Sequence, residues 1–323
     1  MKTEHVKLRE FKWLILSLLI MTIPKFLHAQ NLNKHIMKNT AVHYSNIKAN
    51  GVNIFYRESG LKDAPVILLL HGYPTSSHMF RNLIPILSKK YHVIAPDLPG
   101  FGFSETKSHD EFEYTFDNLA KTMQAFIDEL GLKHFALYVF DYGAPTGYRL
   151  AMANPEKITA IISQNGNAYE EGLSTGWNPI RSYWEHPTAA NRESLHDFVS
   201  KEATWYQYHE GVADPSLIAP ETYTMDQYFL DRPGNIDIQL DLVLNYRTNV
   251  ALYPKFQAYF RKYQPPFLAV WGNKDPYFLP AGAEAYKRDL PNATVKFYNT
   301  GHFALETNAP EIGQDILDFL SLH

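Results

Sequence analysis

His134-Phe135-Ala136-Leu137-Tyr138-Val139-Phe140-Asp141-Tyr142-Gly143 is the stretch whose reading decides the fold. An apolar run with no polar alternation reads as a strand buried on both faces. A helix to about Ala153 follows it. A carboxylate at such a joint has two readings. It is a helix N-cap, a place aspartate favours because its side chain accepts an amide hydrogen bond. Or it is the exposed residue of a strained strand–nucleophile–helix turn, which usually appears as Gly-x-Ser-x-Gly. Here Asp141 takes the serine position and Val139 the first small position. These residues alone leave both readings open.

Outward from this joint, strand and helix signals alternate. Ala41–Lys48 and Val52–Arg57 alternate apolar and polar around Asn50-Gly51, which predicts a hairpin. Pro65–Leu70 predicts a buried strand, Met79–Leu87 a helix, and His92–Asp97 the next strand. Leu119, Met123, Phe126, Ile127 and Leu130 share one helical face, closed by Gly131. Ile158–Ser163 predicts a further strand. From about Asn165 to Gln264 the rhythm breaks into a Tyr- and Trp-rich, mostly helical stretch. It then resumes with Phe267–Trp271, a helix near Ala281–Leu290, Thr294–Tyr298 and a last amphipathic helix. The pattern predicts an α/β fold, a mostly parallel sheet with helices on both faces and an inserted helical cap. The expected boundaries are a core over 40–165 and 265–323, with the cap at 166–264.

Composition narrows the function classes. The 323 residues are 45% hydrophobic and 20% charged, a globular balance. The formal net charge of −4 comes with no long basic run, which gives nucleic acid and anionic membranes no footing. With no cysteine, disulfides, thiolate catalysis and cysteine-based zinc sites are excluded. The 14 histidines show no paired-ligand spacing with carboxylates, so no metal or cofactor is expected. At the N-terminus, Lys2, Lys7, Arg9 and Lys12 precede an apolar stretch from Trp13 to Pro24 and then Leu27-His28-Ala29-Gln30. That order predicts a signal peptide over 1–29, with an uncleaved anchor as the alternative, and hence a secreted or periplasmic protein.

Two further motifs weigh on the reading of Asp141. His71-Gly72-Tyr73-Pro74 ends the strand expected beside the nucleophile strand. Its loop would supply one backbone N–H to an oxyanion hole, from Tyr73, and Tyr142 N–H would supply the other. For His71 itself, a buried turn residue satisfied by backbone is the favoured reading. Asn299-Thr300-Gly301-His302 ends a late strand, and His302 holds the last place in the order nucleophile, acid, histidine. Asp275, in Trp271-Gly272-Asn273-Lys274-Asp275, is the candidate acid. All stand at the carboxyl ends of strands, where open α/β sheets bind ligands.

On these motifs the chain resembles the α/β-hydrolases with an aspartate nucleophile, the epoxide hydrolases and haloalkane dehalogenases, over about residues 40 to 323. His71-Gly72-Tyr73-Pro74-Thr75-Ser76-Ser77 with Arg81-Asn82 is similar to the dehalogenase loop. The chemistry agrees. Serine attack on an sp³ carbon would leave an ether that water does not readily cleave. A carboxylate leaves an ester, which water activated by His302 can hydrolyse. Asp275 would orient His302 and stabilise its protonated form.

The substrate expected is a small apolar organic molecule, with water as co-substrate. In the resembled dehalogenases, an asparagine after His-Gly and a tryptophan after the nucleophile hold the halide. This chain has Tyr73 and Tyr142 there. Leu244-Asn245-Tyr246-Arg247 resembles the tyrosine-bearing cap motif of epoxide hydrolases, which makes Tyr246 the candidate donor to an opening ring. Tyr183, Tyr206 or Tyr208 would be its partner, and the sequence does not choose among them. Epoxide hydrolysis is thus placed ahead of dehalogenation. A binding protein on a hydrolase scaffold is the reading from a different class.

Overall fold

The uninterrupted apolar runs form the middle of an eight-stranded sheet in a computed structural model that describes residues 40–323. The signal segment expected at 1–29 lies outside the described residues. No helix among the described residues is long and apolar enough to cross a membrane.

The strands are β1 (His43–Ala49), β2 (Val52–Ser59), β3 (Val66–Leu70), β4 (His92–Pro96), β5 (Phe135–Phe140), β6 (Ile158–Gln164), β7 (Phe267–Gly272) and β8 (Thr294–Tyr298). Their spatial order is β1-β2-β4-β3-β5-β6-β7-β8, with β2 antiparallel to both of its neighbours and every other pair parallel. Successive side chains of a strand point to opposite faces. Leu68, Leu70, Leu137 and Val139 accordingly pack on one face, against Leu119, Met123 and Phe126 of α2 (Phe116–Glu129). Ile67, Leu69, Ala136, Tyr138 and Phe140 pack on the other, against Ile312, Ile316 and Phe319 of α11 (Ala304–Leu320). α3 (Gly143–Ala153) follows β5, and α10 (Pro280–Asp289) joins β7 to β8.

One expected helix is divided. Met79–Leu87 appears as a 3₁₀ turn at Ser77–Phe80 and a single α-turn, α1 (Ile84–Leu87). Pro85 explains the break. It has no N–H to donate and its ring would clash one turn back, so it is tolerated in the first turn of a helix but not in the interior.

Between β6 and β7 the chain forms α4 (Asn178–Glu185), α5 (Ala189–Glu193), α6 (Lys201–His209), α7 (Pro220–Leu230), α8 (Asn235–Asn245) and α9 (Arg247–Tyr263), with short 3₁₀ turns among them. Arg149 of α3 ties this region to the core. Its Nε donates to Asp117 at 2.6 Å and its Nη1 to Asn249 Oδ1 at 2.7 Å. Asn245 Oδ1 accepts from the Phe116 amide at 3.0 Å, at the start of α2.

The loop after β3 is pinned to the last helix by a two-pronged ion pair. Arg81 Nη1 and Nη2 meet Glu306 Oε1 and Oε2 at 2.9 and 2.6 Å, and the Glu306 side chain is only 1% exposed. Removing one partner strands a buried charge. Arg81→Met should therefore cost about 3–5 kcal/mol, read as a lower urea midpoint at unchanged slope. Arg81→Met with Glu306→Gln should cost less than Arg81→Met alone.

Candidate active site

The parallel strands deliver their carboxyl ends to one edge of the sheet, and register sets which loops meet there. Leu70 of β3 is level with Val139 of β5, so His71-Gly72-Tyr73 lies beside Asp141. Gly272 of β7 is level with Tyr298 of β8, which brings the Asp275 and His302 loops together. Asp141 sits at φ +47°, a left-handed conformation that costs a non-glycine residue about 1–2 kcal/mol. A side chain held there turns off the strand axis towards the space above the sheet. Gly72 is what lets the neighbouring loop come close. A Cβ on it would stand 2.3 Å from Asp141 Oδ1 and 2.6 Å from the Tyr142 amide nitrogen.

Asp141 Oδ1 accepts the Tyr73 N–H at 2.6 Å, and the Tyr142 N–H also bonds this carboxylate. Oδ2 faces His302, with Nε2 at 4.0 Å, beyond hydrogen-bond range. On its other side His302 Nδ1 meets Asp275 Oδ2 at 2.7 Å. The arrangement is therefore a line with one closed link and one open link. Asp275 is held on all sides: Oδ1 accepts from Tyr277 N at 2.7 Å and Phe278 N at 3.1 Å, and Oδ2 from Asn165 Nδ2 at 2.7 Å. Asn165, at the end of β6 with φ +45°, accepts the Gly272 amide at 3.0 Å and thereby aligns the turn that carries Asp275.

Burial pushes the Asp141 carboxyl up to about 6, partly offset by His302 and by the two backbone donors. His302 is pulled the opposite way by burial, but the Asp275 charge beside it prevails and holds the imidazole above its usual range. His71 is buried, its Nε2 accepting from Leu98 N at 2.9 Å and its Nδ1 meeting Gly72 O at 2.9 Å. It supports the loop by backbone contacts. Asp97 braces the same loop, with Oδ1 accepting from Ser77 N at 2.7 Å, while its Oδ2 accepts from Phe103 N of its own loop at 2.8 Å.

A narrow cavity opens on Asp141 and His302, with about 20 Å³ available to the centre of a water molecule, the space of one or two waters. Its core side is Tyr73, Tyr142, Tyr277 and Phe278, and its cap side Trp177, Ile180, Phe198, Gln207 and Val243. None of the four cap tyrosines singled out in the sequence is among these residues. Tyr246 lies one layer behind. Its ring packs on Trp177 at 4.6 Å, Phe116 at 5.5 Å, Tyr142 at 5.8 Å and Trp184 at 6.0 Å, and its buried hydroxyl interacts with that of Tyr253. Tyr208 stacks on Phe303 at 3.9 Å and donates to Asp226 at 2.6 Å. The Tyr183 hydroxyl accepts from Arg192 at 3.2 Å, and Tyr206 is 41% exposed. Packing and buried acceptors claim these rings, a competition that residue type does not reveal. Tyr277 and Phe278, by contrast, follow Asp275-Pro276 directly, and adjacency to the acid was the signal that could have found them. Trp177, Phe198 and Gln207 carried no such signal. Among the described residues no cluster of His, Cys, Asp and Glu is arranged to hold a metal ion.

A family model described as the alpha/beta hydrolase fold matches residues 65–309. The chain belongs to the α/β-hydrolase fold family. It is 44% identical over 290 residues to an uncharacterized hydrolase of Saccharomyces cerevisiae, covering 88% of this chain and 99% of that protein. It is 38% identical over 289 residues to a haloalkane dehalogenase of Psychrobacter cryohalolentis, covering 83% and 88%. Among solved structures, the epoxide hydrolase CorEH superposes with a TM-score of 0.72 at 19% identity, covering 87% of this chain and 99% of that one, a likeness of fold. These comparisons establish an α/β hydrolase related to haloalkane dehalogenases. They favour the dehalogenase side over the epoxide side that the sequence had placed first.

The opposed shifts at this site can be read directly. Carboxyl ¹³C resonances should show Asp141 titrating near pH 6, ionised above and protonated below. In His302→Gln the nearby imidazole is lost, so the transition should move to higher pH. A transition in the ordinary carboxylate range, unmoved by the substitution, would remove burial as the controlling influence.

Proposed function

We propose that this α/β hydrolase cleaves small alkyl halides through a covalent ester on Asp141. The observation that carries the reading is the division of labour between the two oxygens of Asp141: Oδ1 is held by backbone N–H and Oδ2 faces His302. Oδ2 attacks the substrate carbon from its open side, forming a C–O bond as the C–X bond releases its electron pair to the halide. Oδ1 then becomes the ester carbonyl oxygen, already among donors that stabilise an oxyanion in the next step. Water attacks Asp141 Cγ and gives its proton to His302 Nε2, whose positive charge Asp275 steadies across the 2.7 Å contact. Collapse releases the alcohol and restores the carboxylate. The sum is R–X + H₂O giving R–OH, halide and a proton. The 4.0 Å separation suits a base that works on water attacking Cγ rather than on Asp141 itself. The tight cavity favours short substrates. The 38% identical dehalogenase supports halide as the leaving group.

A second reading, epoxide opening, rests on Tyr142 and Tyr277, whose rings line the cavity. Burial raises both phenols, so each stays protonated and able to donate to a developing alkoxide.

Both readings share the ester and differ in its mass. His302→Gln should be alkylated on the peptide holding Asp141 but should not release product. A haloalkane adds only its alkyl part, whereas an epoxide adds its whole mass. Active wild-type protein with no adduct in the variant, for either substrate class, would remove Asp141 as the nucleophile.

A further inference from the structure

Displacement at saturated carbon requires the departing atom to lie opposite the nucleophile. Asp141 forms the floor of the cavity and its Oδ1 side is closed by the Tyr73 amide, so the departing atom is directed at the cap. Of the cap-side residues there, Ile180, Phe198 and Val243 have no donor. Trp177 Nε1 is committed to Tyr277 O at 3.2 Å. Gln207 remains. It is 3% exposed, lines the cavity, and its Nε2 has no hydrogen-bond partner. A buried amide left in that state costs free energy, which a bound acceptor would recover.

The position of Gln207 is fixed by its neighbours in sequence. Tyr208 stacks flat on Phe303, next to His302, at 3.9 Å and 3°. Glu210 O lies so close to Gly301 that a Cβ there would stand 1.9 Å from it. The end of α6 therefore rests on the turn that carries His302, and Gln207 lines the same cavity as Asp141 and His302.

We propose that the Gln207 side-chain amide is the hydrogen-bond donor that receives the leaving halide. This deepens the halide reading and rests on it. As the Asp141 Oδ2–carbon bond forms and the carbon–halogen pair departs, the halide gathers negative charge and accepts N–H from Gln207. No proton is transferred. An amide N–H is about as weak an acid as an alcohol and so gives little drive to protonate an alkoxide, unlike a phenol, so this donor suits a halide better than an epoxide oxygen. It would take over the task that Tyr73 leaves open, since the Tyr73 hydroxyl already donates to Phe198 O at 2.8 Å.

The test isolates the first step in a His302→Gln background, following mass gain with 1-chloro-, 1-bromo- and 1-iodopropane. Adding Gln207→Met should slow alkylation by chloropropane about 10²–10³-fold, the loss typical of one transition-state donor. The loss should be smaller for iodopropane, whose leaving group needs less help. Gln207→Glu should be slower than Gln207→Met, because a carboxylate repels the departing anion. In otherwise wild-type protein, bromide should inhibit competitively, and less strongly after Gln207→Met. Gln207→Asn, which withdraws the same amide by one methylene, gives the comparison if the Met variant does not fold. Equal rates for His302→Gln with and without the Gln207 substitutions would overturn the proposal while leaving Asp141 alkylation standing. No adduct from any halopropane in His302→Gln itself would overturn the halide reading and this assignment together.

Discussion

The contact on which the site depends is the hydrogen bond from the Tyr73 backbone N–H to Asp141 Oδ1, at 2.6 Å. It joins two loops far apart in sequence, and each has been shaped to permit it. On one side the chain accepts a left-handed aspartate at the strand–helix joint. On the other, Gly72 leaves out the one carbon that would collide with that carboxylate. The level pairing of Leu70 with Val139 sets the separation, while His71 and Asp97 hold the loop behind it through backbone partners. Moving any of these would shift the carboxylate, its donors or both. Strained, buried polar geometry of this kind persists only where the surroundings over-determine it.

Two carboxylates flank one imidazole, and their surroundings set them apart. Asp275 receives two backbone amides, the Asn165 amide and His302, so its negative charge is satisfied on every side. Asp141 is buried with fewer donors and no close ion pair, and its proton is held more tightly than is usual for a carboxyl group. Less solvation of the anion means less to strip away when it forms a bond. The same residue type thus stands among many donors at one position and few at the other.

Much of this was legible in the sequence. Unbroken apolar runs at β3, β5 and β7 marked a sheet covered on both faces. The order of Asp141, Asp275 and His302 at strand ends placed three side chains in one site before any distance was known. Such positions are set by local pattern and by the topology of parallel strands. Less was legible in the helical region after Asn165. There Tyr246, Tyr183, Tyr206 and Tyr208 have the chemistry of donors, yet each is occupied by stacking, by an arginine donor, by a buried acceptor or by exposure to solvent. Helix packing in that region depends on side-chain shape across non-adjacent segments, which no period in the sequence reports. Gln207 was invisible for the same reason, since a glutamine in a helix announces nothing until its neighbours are known. The split of the helix after β3 is legible in the sequence, since Pro85 stands where an unbroken helix would need a backbone donor.

The flat stack of Tyr208 on Phe303 links the cap to the turn that carries His302. The cap-side wall of the cavity includes Gln207 of the same helix, one residue before that stack. Any excursion of α6 that enlarges the cavity also pulls on the residue next to His302. The Phe303 ring is packed between the two, stacked on Tyr208 on the cap side and 5.2 Å from the His302 ring, edge to face. One contact thus serves both the closure of the cavity on its cap side and the packing beside the His302 ring.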